Sequence, residues 1–142
     1  MSVFLDFSNN YQLTHFNIFG ADASFHHFGI ILKDNQNYPY SKIKYIKDPI
    51  QKVKVGFYKI NDFVIEIVIP DDKNSPIKSA LKNKVFYHHI CFSVPNINKA
   101  IQNASEYGVR RISKIEPAVA FSNRSICWCL GNNFGLMELL EK

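Results

Sequence analysis

Four places in the chain carry residues that could do metal chemistry. His26-His27 opens the apolar run Phe28-Gly29-Ile30-Ile31, and His88-His89 opens Ile90-Cys91-Phe92-Ser93. Each pair is followed downstream by one glutamate inside an apolar run. These are Val64-Ile65-Glu66-Ile67-Val68 and Leu136-Met137-Glu138-Leu139-Leu140. A carboxylate in such a segment is costly to bury unless it meets a partner or a cation. Imidazole with carboxylate suits Zn, Ni, Co, Mn or Fe(II) better than calcium. A closed structural zinc site would more often use cysteine. On an octahedral ion, two histidines and two carboxylates leave two positions for water or substrate oxygens. The order His, Glu, His, Glu also occurs in two related halves, which is the mark of an internal duplication. Singly, each residue has a plainer reading, as a core histidine or an edge glutamate, so the weight lies in the four together. Strand alternation puts the two histidines of each pair on opposite faces. One of each pair is then a ligand, and the other a core or supporting residue.

The elements that must position these residues follow from periodicity. Phe25 to Leu32 reads as a strand. Lys33 to Pro49 is polar, is broken by Pro39 and Pro49, and lacks a helical stripe. Gln51 to Ile60 alternates, with Val53, Val55 and Phe57 on one face, as a half-buried strand does. Asn61-Asp62 is a turn, and Phe63 to Ile69 a strand ended by Pro70. A helix is expected next, with Ser75 as N-cap, Pro76 in its first position, and Ile77, Ala80 and Leu81 as its stripe. Val85 to Val94 is a strand. A second helix starts at the Asn96 cap, buries Ile97, Ala100, Ile101 and Ala104, and ends at Gly108. Strands around Val109 to Ile115, Ser125 to Leu130 and Leu136 to Leu140 complete the chain, with Gly131-Asn132-Asn133 turning between the last two. Residues 1–24 mix polar and aromatic types and read as an N-terminal extension, with a short strand at Val3 to Phe7.

The totals narrow the class. The chain of 142 residues, 46% hydrophobic and 20% charged, suits one domain with its own core and argues against disorder. No apolar run is long enough to span a bilayer. Met1 to Ser24 has no basic stretch ahead of an apolar one, so the expected compartment is the cytoplasm. Three cysteines, an odd number, argue against a disulfide framework. Cys127 and Cys129 share one face of a strand and are expected as buried thiols that pack like small hydrophobes. The net charge of +5 is concentrated at Lys42, Lys44, Lys47, Lys52, Lys54 and Lys59. That is a solvated face, or an attraction for an anionic small molecule such as a phosphate-bearing thioester carrier. No nucleic-acid module accompanies it.

From Phe25 to Glu141 the chain resembles the vicinal-oxygen-chelate superfamily, which includes glyoxalase I, methylmalonyl-CoA epimerase, ring-cleaving dioxygenases and resistance proteins. The likeness is carried by His27 before Phe-Gly-Ile-Ile and by His89 before Ile-Cys-Phe-Ser-Val. The stretches Ile65-Glu66-Ile67-Val68-Ile69-Pro70, Asn74-Ser75-Pro76-Ile77 and Asn96-Ile97-Asn98-Lys99-Ala100 are most similar to the epimerase branch. The resemblance implies an α+β fold of two βαβββ modules, about 25–70 and 86–142, that pair into a cupped mixed sheet. The first module's helix is shortened. It implies His27, Glu66, His89 and Glu138 as the ligands of a divalent Co, Ni, Zn, Mn or Fe ion. It further implies an isomerase or lyase that moves a proton on an acyl thioester through a metal-stabilised enolate. The segment Ile50 to Ile60 departs from the epimerase pattern in carrying no Asp or Glu, which leaves Glu138 as the expected base. A lactoylglutathione lyase-like enzyme and a non-catalytic small-molecule binding or resistance protein are the alternatives. The expected partners are a small-molecule substrate, an anionic thioester among the options, and a second copy in a homodimer, without nucleic acid or membrane.

Overall fold

A computed structural model describes residues 16–142. The Val3 to Phe7 strand expectation lies outside these residues. The elements run β1 (Ser24–Ile31), β2 (Tyr45–Asp48), β3 (Val53–Ile60), β4 (Phe63–Pro70), α1 (Lys78–Lys82) and β5 (Tyr87–Val94). They continue α2 (Ile97–Ser105), β6 (Val109–Arg111), β7 (Glu116–Ala118), β8 (Arg124–Gly131) and β9 (Gly135–Glu141). The described strands form one mixed sheet in the order β2-β3-β4-β1-β5-β9-β8-β6, with β7 also on β8. This is the expected α+β architecture.

The duplication sets the topology. In each half the histidine strand lies parallel to the glutamate strand, β1 beside β4 and β5 beside β9. Each glutamate strand then pairs antiparallel with the strand before it, β3 or β8. The halves join where β1 and β5 run antiparallel at the centre of the sheet. Both histidine pairs and both glutamates therefore fall on the four middle strands.

The outer covering of the two halves differs. In the second half, α2 buries Ile97, Ala100 and Ala104 against Cys127, Cys129, Met137 and Leu139, with Ile18 and Phe19 in the same cluster. Asn96 caps this helix through its side chain, which accepts the Lys99 N–H at 2.8 Å. The cysteines are free and buried, as expected. In the first half the helix is reduced to a 3-10 turn, Tyr40–Lys42. Tyr40, Ile43 and Tyr45 pack on Ile30, Ile67 and Ile69 in its place.

Three local expectations are corrected. Lys33 to Pro49 is not wholly irregular, because Tyr45–Asp48 forms β2 as an edge strand on β3. Edge pairing supplied by an ordered neighbour needs no period of its own. Ser75 does not cap α1. Its hydroxyl is buried and has no hydrogen-bond partner among the described residues, while its carbonyl accepts from Lys78 in a preceding turn. Burial of Ile77 with Ile31, Val53, Val55 and Val68 fixes that turn, and α1 begins after it. Third, Val109 to Ile115 is not one strand: β6 ends at Arg111, the Ile112 N–H still donates to the Trp128 carbonyl at 2.8 Å, and a strand resumes at Glu116–Ala118.

Candidate metal centre

His27, Glu66, His89 and Glu138 converge on one point under the middle of the sheet. One donor atom from each lies within 4.8 Å of all the others, and all four residues are buried. The two histidine Nε2 atoms are 3.2 Å apart. Glu66 Oε2 lies 3.4 Å from His27 Nε2 and 3.2 Å from His89 Nε2. Glu138 Oε2 repeats these distances, 3.4 and 3.2 Å. Every member is thus presented by the backbone of a different central strand, and the two halves contribute equally.

The spacing and burial of the donor set suit a cation. Donors about 2.1 Å from a common ion stand about 3.0–3.4 Å apart in octahedral or tetrahedral geometry. The His–His and His–Glu separations, 3.2–3.4 Å, already have that spacing. Glu138 Oε2 also lies in the cluster without a hydrogen-bond partner among the described residues. A buried carboxylate oxygen in that condition is expensive unless a positive charge faces it. The residues fit a divalent transition ion.

Without an ion, protons must supply that charge. Burial alone would lower the His89 pKa, but the Glu138 and Glu66 carboxylates more than reverse this and push it up to about 9. His27 is likewise raised against its burial by Glu138 and Glu66. Burial raises Glu66, yet the His27 and His89 imidazoles outweigh it and hold the carboxyl down at about 2. Because the folded His89 value exceeds the ordinary 6.5, its stabilising contribution is complete below pH 6.5 and is lost as pH rises through about 9. The metal-free protein should therefore lose thermal stability across that window, whereas its metal affinity should rise as protons compete less. Melting curves over this pH range check it; an unchanged Tm for metal-free protein would contradict the charged cluster.

Neighbouring residues hold the His27 and His89 rings. His27 stacks on Phe121, with centroids 5.7 Å apart, and meets Phe57 edge-on at 6.0 Å. His89 stands edge-on to Trp128 at 4.7 Å. The two-fold pattern extends to these partners. Phe57 lies opposite Glu66 on the neighbouring strand, and Trp128 lies opposite Glu138. Gly29 lies opposite His89, and Cys91 opposite His27. Sequence reasoning missed these supports, although aligning the halves from their glutamates backwards would have brought Phe57 and Trp128 to nearly the same offset.

The histidine pairs depart from simple alternation. The β1–β5 register slips between Phe25 and His27 and again between Gly29 and Ile30. His26 and His88 are the extra residues of these two bulges. A bulge re-aims its side chain, and each of these turns toward its neighbour instead of the opposite face. His26 Nδ1 lies 2.8 Å from His27 Nδ1, and His88 Nδ1 lies 2.9 Å from His89 Nδ1. Burial, and then the adjacent His27 or His89, lower both outer histidines, His88 to about 4.

A cavity of about 230 Å³ opens onto Glu66 and Glu138. Val53, Val55 and Val68 line it from the first half, and Ile112, Trp128 and Leu136 from the second. Gln51, His88 and Ser113 add polar groups. Gln51 is steadied by Asp48, whose carboxylate accepts its side-chain amide and backbone N–H, both at 3.0 Å. Asp48 is thereby committed to a turn at the end of β2. The arrangement offers a small apolar chamber whose floor is charged. Among the described residues, no helix is long and apolar enough to cross a membrane.

Comparison with known proteins agrees with the fold. The profile of the Glyoxalase/Bleomycin resistance protein/Dioxygenase superfamily matches residues 18–128. A hypothetical protein from Bacillus halodurans C-125 superimposes with a TM-score of 0.69 at 26% identity, over 84% of this chain and 94% of that one. Methylmalonyl-CoA epimerase from Mycobacterium tuberculosis gives 0.66 at 17% identity, over 82% of this chain and 86% of its own. A variant Streptomyces coelicolor methylmalonyl-CoA epimerase in complex with 2-nitronate-propionyl-CoA gives 0.66 at 19%, over 84% and 94%. At such identities the epimerases share the fold with this chain. No curated protein matches the sequence.

Proposed function

The chain belongs to the glyoxalase/bleomycin resistance protein/dioxygenase superfamily, and from that premise we propose that it is a metal-dependent isomerase or lyase moving a proton on a small acyl thioester. The observation that carries this reading is the four-donor cluster on the floor of the cavity. In this reading His27, Glu66, His89 and Glu138 hold a divalent Co, Ni, Zn, Mn or Fe ion. When bound, such an ion supplies Lewis-acid stabilisation for negative charge gathering on a substrate carbonyl oxygen.

The chain's own residues do the rest. Glu66 and Glu138 both belong to the cluster and to the cavity wall; because Glu138 Oε2 has no hydrogen-bond partner among the described residues, its carboxylate is the one assigned in this reading to accept a proton from carbon next to a carbonyl. No Asp or Glu of β3 competes for this role. The valines, Ile112 and Leu136 exclude water from the reacting carbon, and Gln51 and Ser113 can orient polar substrate atoms. Lys42, Lys44, Lys47, Lys52, Lys54 and Lys59 give the first half an excess of positive charge, which suits an anionic handle on the substrate. The 2-nitronate-propionyl-CoA bound by the Streptomyces epimerase is of this type.

Exchange of the substrate α-proton tests the reading. Metal-loaded protein in deuterium oxide should label methylmalonyl-CoA at the α-carbon, with a hemithioacetal of methylglyoxal run in parallel. Turnover of the hemithioacetal alone would redirect the assignment to a lactoylglutathione lyase-like reaction. A metal-loaded protein that labels neither would favour a binding or resistance role on the same fold.

A further inference from the structure

We propose that His26 and His88 are positioning residues that hold the His27 and His89 imidazoles ready to ligate through Nε2. The inference deepens the metal reading above and rests on it. An imidazole that offers its Nε2 lone pair to a cation must carry its proton on Nδ1, and that N–H needs an acceptor. Both Nε2 atoms point into the cluster, 3.2 Å apart. At the far side of each ring, the preceding histidine presents its own Nδ1 at 2.8 or 2.9 Å. His27 and His89 then donate, and His26 and His88 accept, each keeping its own proton on Nε2.

Three features make this a built arrangement. It occurs twice, once in each half, at equivalent places in the duplicated sequence. In both places a bulge in the β1–β5 pairing supplies the histidine as its extra residue, which is how a strand brings two consecutive side chains together. Aromatic edges then fix the outer rings: His26 lies perpendicular to Phe121 at 5.6 Å, and His88 stands against Trp128 at 5.6 Å. Metal-bound histidines ordinarily donate this second N–H to a carboxylate, a carbonyl or water. Here a neutral imidazole takes the place of those acceptors.

The test compares His26→Phe and His88→Phe, which keep a ring but lose the acceptor, with His26→Gln and His88→Gln, which keep an acceptor. Cobalt affinity is read by chelator competition. Each Phe variant should bind cobalt about 10–100-fold more weakly, the usual cost of losing an outer hydrogen-bond partner, and each Gln variant should recover most of that loss. In ¹⁵N-labelled zinc-loaded wild type, scalar coupling should connect His27 Nδ1 to His26 Nδ1 and His89 Nδ1 to His88 Nδ1 across the hydrogen bonds. This spectrum decides the matter should a Phe variant fail to fold. Wild-type cobalt affinity in the Phe variants, or absent coupling in wild type that binds zinc, would overturn the positioning role alone. A second equivalent of cobalt lost in His26→Phe would make His26 a ligand and also overturn it. Wild type that binds neither ion would overturn the metal reading together with this one.

Discussion

Glu138→Gln is expected to abolish proton exchange and to weaken metal binding by at least about 100-fold, a larger loss than removal of an outer partner causes. The substitution preserves shape and removes one of the two negative charges in the cluster. The remaining pair of imidazoles and single carboxylate would carry less charge to match a divalent ion. The amide nitrogen would also bring N–H donors toward His27 and His89, whose Nε2 atoms lie 3.4 and 3.2 Å from this oxygen. The variant should fold, because β9 keeps its backbone register with β5 and β8. In the metal-free variant, the His89 pKa should fall from its raised value, since Glu138 is one of the two carboxylates holding it up. Chelator competition and the exchange assay check the two losses. Retention of wild-type metal affinity would count heavily against the four-residue centre.

Gly29→Ala should produce nearly as large a loss without touching a ligand. Gly29 lies across from His89 on the neighbouring strand, and a Cβ at this position would overlap the His89 ring. No flexible side-chain end can move aside, because the obstructing atoms belong to a rigid imidazole held by Trp128. The ring must turn or the strands must part. Overpacking of this kind costs about 1–3 kcal/mol, so the protein should fold with a lowered Tm. Its metal affinity should drop by about 100-fold or more, beyond the range seen when an outer partner alone is lost. The matched control is Cys91→Ala. Cys91 holds the same position opposite His27 in the other half and already carries a side chain there, so its truncation should leave metal affinity close to wild type. Equal affinity in Gly29→Ala and wild type would show that the His89 ring does not occupy this place.

The centre was legible in the sequence because burying charge is costly. Two lone glutamates in Val/Ile/Leu runs, each preceded by a histidine-led strand, imply a cation-like partner before any fold is known. The central strands were legible for the same reason: β1, β4, β5 and β9 bury both faces or one strongly apolar face. The shortening of the first helix could be read from Pro39, Pro49 and the absence of a stripe between them. What the sequence hid depends on neighbours. β2 and β7 are edge segments of four and three residues, whose extended form is imposed by β3 and β8. The bulges at His26 and His88 break the period of two that strand reading relies on, so alternation placed these side chains on the wrong face. The Ser75 cap failed because burial of Ile77 outweighed one hydrogen bond.

The most direct test is the metal content of the purified wild-type protein, measured by mass spectrometry after loading with cobalt or nickel and removal of the excess. The account predicts close to one ion per chain. Protein that is folded yet retains no ion in stoichiometric amount would contradict it, leaving a superfamily fold whose four buried donors neutralise one another through protons alone.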